Sequence, residues 1–231
     1  MGQVGQADQS VDLIREVFPP LLGLSAVMFA FAPEVIAGAP YESTMLLVQK
    51  IFYFHAPSWF AMFTAVGIAG VAGIVCLAGS GRTDRIAVSS SEIAVLFGAM
   101  GLTTGPIWAR KAWGVAWQWD AKLTIALLLE LIFVACVLLR RFCGTGSEKL
   151  AAAVALFGLA VAPFVFYAVN IRRTVHPATS VVPTLGPGMF GAFWYSVATF
   201  MVFLVVLMML RIRVDELSAD LDALYREETS C

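Results

Sequence analysis

Long apolar runs separated by short polar segments dominate the chain. Six runs of about 20 residues carry few charges, at about 17–38, 58–79, 87–106, 123–140, 150–169 and 189–210. A transmembrane helix needs roughly 20 mostly apolar residues to cross the hydrocarbon core of a bilayer. No run shows a strong alternation of apolar and polar residues, which argues against a membrane β-barrel. The pattern predicts an all-α integral membrane protein, a bundle of six transmembrane helices.

The segments between the runs indicate a single domain. Residues 79–85 and 140–149 are short, polar and contain glycine, as connections between helices commonly do. No linker or change in composition divides the chain. We therefore predict one transmembrane domain over residues 1–231, ending in a charged tail at 211–231.

Composition supports the membrane class and excludes two others. Hydrophobic residues make up 60% of the 231 positions and charged residues only 13%. A soluble domain carries roughly a quarter charged residues, so a water-soluble globular protein is a poor match. The formal net charge is only -1, so nothing marks the chain as a binder of nucleic acid.

The distribution of basic residues predicts the orientation. Six spans place both termini on one side of the membrane, and that side carries nine basic residues: Arg15, Arg82, Arg85, Arg140, Arg141, Lys149, Arg211, Arg213 and Arg226. The other side carries six: Lys50, Arg110, Lys111, Lys122, Arg172 and Arg173. Because cytoplasmic loops carry the excess of Lys and Arg, we expect both termini in the cytoplasm.

The second outer segment is unusually rich in tryptophan. Residues 108–124 read WARKAWGVAWQWDAKLT, with four of the six tryptophans: Trp108, Trp113, Trp117 and Trp119. The predicted topology places the only two histidines, His55 and His176, in loops on the same face. An aromatic belt normally occupies both interfaces, but here the inner interface has no tryptophan. The combination predicts a site for a flat, amphipathic ligand at the outer surface.

Haem suits this set of residues better than a closed zinc site. Zinc in a structural site takes four protein ligands, and no cysteine lies on the outer face. Haem iron needs only axial ligands from the protein, commonly histidine. Tryptophan rings can cover the porphyrin, and basic residues can pair with its propionates. The candidates for propionate contacts are Arg110, Lys111, Lys122, Arg172 and Arg173, with Lys50 also on that face.

The order of these motifs resembles a known family. The stretch WGVAWQWDAKLT resembles the tryptophan-rich WWD signature of haem-handling proteins in cytochrome c maturation. VQKIFYFHAPSWF upstream and RRTVHPAT downstream resemble the haem exporter protein C (CcmC) branch, and the resemblance covers most of the chain. This chain has Val115-Ala116-Trp117 where many members have adjacent tryptophans, so a less aromatic surface is expected.

The resemblance implies a site, partners and a location. It makes His55 and His176 the axial ligands of a transiently bound haem b. It makes the signature the surface that presents haem to the periplasmic chaperone CcmE, with Trp113, Gly114, Trp117, Trp119 and Asp120 as its residues. Trp108 of the same tryptophan-rich segment is a further candidate for this surface. It also implies an ABC-type complex with CcmA, CcmB and CcmD. The location is the bacterial inner membrane, or an equivalent organelle membrane, with contact to membrane lipid.

Two alternatives stay open on the sequence alone. One is a b-type cytochrome subunit that exchanges electrons with quinone, although such proteins usually hold haem between helices. The other is an ion-coupled transporter or permease subunit, for which the evidence is Glu130, an acidic residue well inside a span. We expect a haem-delivery component, not an enzyme, that at most promotes covalent attachment of haem to the chaperone by positioning it.

Overall fold

The computed structural model describes residues 2–79, 83–144, 146–171, 176 and 179–229. Six α-helices account for most of them: α1 (Gly2–Gly38), α2 (Phe52–Leu77), α3 (Asp84–Trp113), α4 (Ala121–Phe142), α5 (Glu148–Ile171) and α6 (Pro187–Thr229). Short 3-10 helices precede α2 at Leu47–Ile51 and α6 at Thr179–Thr184. Among the described residues, the only β-type pairing is one isolated antiparallel bridge between Glu42 and Leu46.

The predicted fold class is confirmed. Within the described residues, six helices are long and apolar enough to cross a membrane. An α-helix satisfies its backbone hydrogen bonds internally, which lipid requires because it offers no partner for a free N–H or C=O group. The chain is therefore a multi-pass, all-α membrane protein.

Helix α2 lies at the centre of the bundle. It packs most closely against α3 and α5, and also contacts α6, while α4 lies against α3 and α5 and α1 lies against α6. Alanines on one face of α2, at positions 61, 65 and 69, are fully buried in the main core. Small side chains allow this close approach of helices, and Gly73 lies directly against the backbone of Ala152 on α5.

The up-and-down course of the helices gives the bundle two chemically different ends. We call the end that holds His55 and His176 the histidine end, and the opposite one the tail end because α6 extends beyond it. Ion pairs between helices occupy the tail end: Arg140 of α4 lies 2.6 Å from Asp84 of α3, and Arg211 of α6 pairs with Glu92 of α3.

Two helices extend further at the histidine end than the apolar runs predicted. Helix α2 begins at Phe52, because a 3-10 turn leads directly into it. Helix α3 continues to Trp113 and ends at Gly114, whose φ of 79° is a left-handed conformation that favours glycine. His55 and Trp108 are therefore helical residues and do not lie in loops.

Candidate functional site

His55 lies near the start of α2 and points into the bundle. The loop predicted for it is wrong, since Phe52 already begins the helix and Pro57 is accommodated inside it. The side chain is only 6% exposed. Its ring lies edge-on to Trp108 of α3, with centroids 5.6 Å apart, and to Trp59 one turn further along α2, at 6.3 Å.

Two residues of α3 position the His55 ring. Thr104 Oγ1 lies 3.0 Å from His55 Nδ1. A Cβ atom added to Gly105 would be 3.1 Å from His55 Cε1, so the absence of a side chain there makes room for the imidazole. Neither residue can be singled out from the sequence, because the apolar run does not show which face of α3 meets α2.

His176 comes from the connection between α5 and α6 and meets His55. The centroids of the two rings lie 6.3 Å apart with an interplanar angle of 41°. His176 is half-buried, whereas His55 is almost fully enclosed. Helix α2 and the connection between α5 and α6 thus bring the only two histidines of the chain together.

Lys122 is the basic residue that contacts His176. Its Nζ lies 2.9 Å from His176 Nδ1. Lys122 is in the first turn of α4, which begins after Asp120. Asp120 Oδ1 accepts a hydrogen bond of 2.8 Å from the backbone N–H of Leu123 and so caps the helix. The aspartate of the signature therefore has a structural role in holding Lys122 beside His176.

The four tryptophans of the segment differ in exposure, with Trp108 buried, Trp113 and Trp117 half-buried and Trp119 exposed. Trp108 is 6% exposed and lies beside His55, with Trp113 next to it at a centroid distance of 5.9 Å. Trp117 and Trp119 follow α3 and meet edge-on at 5.5 Å, and Trp119 is 75% exposed. The segment therefore covers His55 with Trp108 and presents the ring of Trp119 to the surroundings.

Two indole N–H groups are buried without a protein acceptor. Among the described residues, neither Trp108 Nε1 nor Trp117 Nε1 has a hydrogen-bond partner. An unpaired buried donor is costly, so such groups commonly indicate a bound molecule or water. Both donors suit an anionic ligand group such as a carboxylate.

The other predicted propionate contacts have different positions. Arg110 and Lys111 are exposed in the last turn of α3, where positive charge favours the helix C-terminus. Arg172 and Arg173 lie outside the described residues. Lys50 is engaged elsewhere, because its ammonium group donates to the terminal carbonyl groups of α1, including that of Ile36 at 2.6 Å.

The spacing of the two histidines fits a metal ion between them. An imidazole nitrogen binds zinc at about 2.0–2.1 Å and lies ~1 Å from its own ring centre, so opposed imidazoles on one ion have centroids roughly 6 Å apart. The observed separation is 6.3 Å. Each Nδ1 has a hydrogen-bond partner, Thr104 for His55 and Lys122 for His176, so Nε2 is the candidate ligand atom of each ring. No group of three or more His, Cys, Asp or Glu occurs in the described part of the chain, so a two-ligand site fits better than a closed four-ligand one.

A separate buried carboxyl group lies deeper in the bundle. Glu130 of α4 is 6% exposed, and its Oε2 has no hydrogen-bond partner among the described residues. It lies against Gly98 of α3, with Met62 of α2 nearby. The structure describes no contact between Glu130 and either histidine.

Comparison with known proteins identifies the family. The family model described as Heme exporter protein C matches residues 1–226. The chain belongs to this family. Its members have a role in haem handling for cytochrome c maturation, and the chain is accordingly a membrane component of transport or delivery.

Individual relatives agree with this assignment. Heme exporter protein C of Bradyrhizobium diazoefficiens is 29% identical over 174 residues, which are 74% of this chain and 66% of that protein. The protein of the same name from Escherichia coli is 27% identical over 213 residues, 85% of this chain and 82% of the relative. A putative cytochrome c biosynthesis ccmC-like mitochondrial protein of Marchantia polymorpha is 27% identical over 133 residues, 57% of each chain.

Proposed function

We propose that the chain binds haem b transiently at its histidine end, with His55 and His176 as axial ligands. The observation that carries this proposal is the 6.3 Å separation of the two imidazole rings, which suits a single metal ion between them. The bond from His55 Nδ1 to Thr104 adds support, because a ligating histidine almost always donates its other ring N–H to a nearby acceptor.

In this proposal the tryptophans and Lys122 contact the porphyrin and the propionates of the same haem. Trp108 and Trp113 provide flat apolar surface beside the iron ligands, while the unpaired N–H groups of Trp108 and Trp117 are available to a propionate. Among the described basic groups, the Lys122 ammonium group is the one in contact with a proposed ligand, His176. Arg110, Lys111, Arg172 and Arg173 remain proposed contacts from the sequence.

Delivery of the haem to a CcmE-type chaperone completes the proposal. Trp119 is the most exposed tryptophan of the signature, which suits a docking surface. The histidine end faces the periplasm and both termini lie in the cytoplasm of a bacterial inner membrane. CcmA, CcmB and CcmD are the proposed partners in the membrane complex, and residues 1–231 form the single transmembrane domain.

The visible spectrum of the purified full-length protein tests this proposal. Haem added to the wild type should give the six-coordinate, low-spin spectrum of iron with two imidazole ligands. His55→Gly and His176→Gly variants should each lose that spectrum, and free imidazole should restore it by entering the space left by the ring. An unchanged spectrum in both variants contradicts the ligand assignment.

A second candidate, ion-coupled transport, is favoured by Glu130 alone. A carboxyl group buried between membrane helices, here with Oε2 unpaired among the described residues, is a functional candidate by default. A Glu130→Gln variant separates the two functions. Haem delivery through the histidine end predicts that the variant binds haem and loads the chaperone normally. Loss of cytochrome c maturation with intact haem binding favours transport.

A further inference from the structure

The hydrogen bonds of Thr104 determine which nitrogen of His55 carries the proton. A hydroxyl group has one proton to donate and can also accept. Thr104 Oγ1 directs its proton to the carbonyl groups of its own helix, 2.7 Å from Met100 O and 3.4 Å from Gly101 O. The contact of 3.0 Å with His55 Nδ1 must then use a proton on the imidazole. His55 therefore carries its proton on Nδ1, and Nε2 has the free lone pair that binds a metal.

Lys122 imposes the opposite tautomer on His176. An ammonium group has three donors and no acceptor. The contact of 2.9 Å between Lys122 Nζ and His176 Nδ1 therefore requires a lone pair on Nδ1. In the neutral ring the proton is then on Nε2, which cannot bind iron in that form.

We propose that the two histidines are held in opposite tautomers: Thr104 keeps His55 ready to bind haem iron, and Lys122 withholds His176 until a haem carboxylate takes the ammonium group. The proposal rests on the proposed haem site and adds an order of events to it. His55 binds the iron first. His176 follows only when the incoming porphyrin carries a carboxylate for Lys122.

The change of partner by Lys122 and the change of tautomer in His176 involve no net gain or loss of protons or charge. Lys122 stays an ammonium group and changes only its partner, from the imidazole nitrogen to a carboxylate. His176 stays neutral, since it releases the Nε2 proton to water and takes one up at Nδ1. Half-exposed His176 has access to the water that this requires, whereas buried His55 has its final tautomer in advance. A porphyrin without free carboxylates should therefore be bound by His55 alone.

Nitrogen NMR of the haem-free protein in lipid nanodiscs tests the tautomers directly. Because the chain has only two histidines, ¹⁵N-histidine labelling gives the signals of two rings, and a His176→Gly variant assigns them. The expected result is a protonated Nδ1 in His55 and a protonated Nε2 in His176. The same tautomer in both rings contradicts the proposal.

Threonine variants isolate the positioning role of Thr104. Thr104→Val keeps the shape and removes the acceptor, so the His55 signals should change towards the Nε2–H form, while Thr104→Ser should restore them. Thr103→Val is the matched control, because Thr103 is exposed and bonds only to the backbone of its own helix. An unchanged His55 tautomer in Thr104→Val contradicts the assignment.

A comparison of haem with its dimethyl ester tests whether Lys122 prevents His176 from binding iron. The ester has no free carboxylate, so in the wild type it should give a five-coordinate, high-spin complex through His55. In Lys122→Met, the ester should become six-coordinate and bind roughly tenfold more tightly, as loss of a hydrogen bond to a charged group implies. A residue that only contacts propionates predicts no gain for the ester, and that result overturns the proposal. Lys122→Arg should behave as the wild type does.

The experiments separate failure of the inference from failure of the site. If neither porphyrin binds the wild type, haem binding itself is wrong, whatever tautomers the NMR shows. If both porphyrins bind with two histidines from the outset, the site stands and the role assigned to Lys122 is wrong.

Discussion

The surroundings of His55 and of His176 differ in rigidity as well as in chemistry. His55 is enclosed by two helices, bonded to Thr104 and packed against a glycine, with 6% of its surface exposed. His176 is half-buried in a connection between helices, and its described hydrogen bond is to a long, flexible lysine. Under the proposed function, a rigid ligand and an adjustable one suit the binding and later release of haem, because preorganisation on both sides would increase the affinity further.

Removal of each proposed ligand in turn should have the largest effect on haem affinity, and the two losses should be unequal. His55→Gly is expected to weaken haem binding about tenfold more than His176→Gly, a difference of about 1.4 kcal/mol, because only His55 is in place before binding. Titration of haem into each purified variant measures this ratio. Equal losses would mean that the two histidines are equivalent and would remove the basis of the comparison.

Crowding of His55 should have the next largest effect. Gly105→Ala introduces a Cβ atom 3.1 Å from His55 Cε1, so the ring must shift by a few tenths of an ångström. We expect a several-fold loss of haem affinity and a changed spectrum. Gly67→Ala is the matched control within a helix, since a Cβ atom there meets nothing within 4 Å. If both variants bind haem as the wild type does, the close packing around His55 has no part in ligation.

Loss of the cap of α4 should act on the His176 side alone. Asp120→Ala removes the hydrogen bond to Leu123 N, at a cost of about 1 kcal/mol in helix stability, and Asp120→Asn should retain most of the cap. Thermal unfolding in detergent measures the stability. In the NMR experiment, the Asp120→Ala variant should alter the His176 signals and leave those of His55 unchanged. A change confined to His55 contradicts the assignment of Asp120 to the Lys122 side.

The smallest expected effect is a pH dependence in the loop before α2. The Glu42 carboxylate accepts hydrogen bonds from the Thr44 hydroxyl and from the Met45 and Thr44 backbone, which lowers its pKa from 4.5 to about 2. Because the pKa in the folded protein is depressed, these bonds stabilise the loop fully above pH 4.5 and are lost as the pH falls towards 2. Hydrogen exchange at the Thr44 and Met45 amides, corrected for intrinsic rates, should accelerate over that range.

A Glu42→Gln variant supplies the control for this loop. Its neutral amide does not titrate, so protection of the Thr44 and Met45 amides should be weaker at neutral pH and independent of pH below 4.5. Equal pH profiles for the variant and the wild type contradict the role of Glu42. The histidine signals should not respond in either protein, since the loop makes no described contact with either ring.

The helix bundle follows from the sequence because lipid leaves few choices. Apolar runs of sufficient length predict helices, and the parity of six spans places His55, His176 and the tryptophan segment at one end. The ends of the helices could not be predicted as closely, because α3 continues past the third apolar run to include Trp108 and Trp113. Gly114 marks that end in retrospect, through its left-handed conformation.

The partners of the histidines could not be predicted, because they depend on helix rotation. Thr104 lies within the predicted third span, but only the rotation of α3 about its own axis turns it towards His55. The contact between Lys122 and His176 joins residues 54 positions apart. The place of Asp120 on a docking surface stays a prediction, and the structure adds its role as the cap of α4. A capping residue before an apolar helix is a signal available in the sequence.

Electron paramagnetic resonance of the ferric haem complex of the full-length protein tests the central claim most directly. Ligation by both histidines predicts a low-spin signal in the wild type, replaced by a high-spin signal in both His55→Gly and His176→Gly. Addition of free imidazole should restore the low-spin signal in each variant. A high-spin signal in the wild type, or a low-spin signal that persists in either variant without imidazole, would contradict the claim that the two histidines hold the iron together.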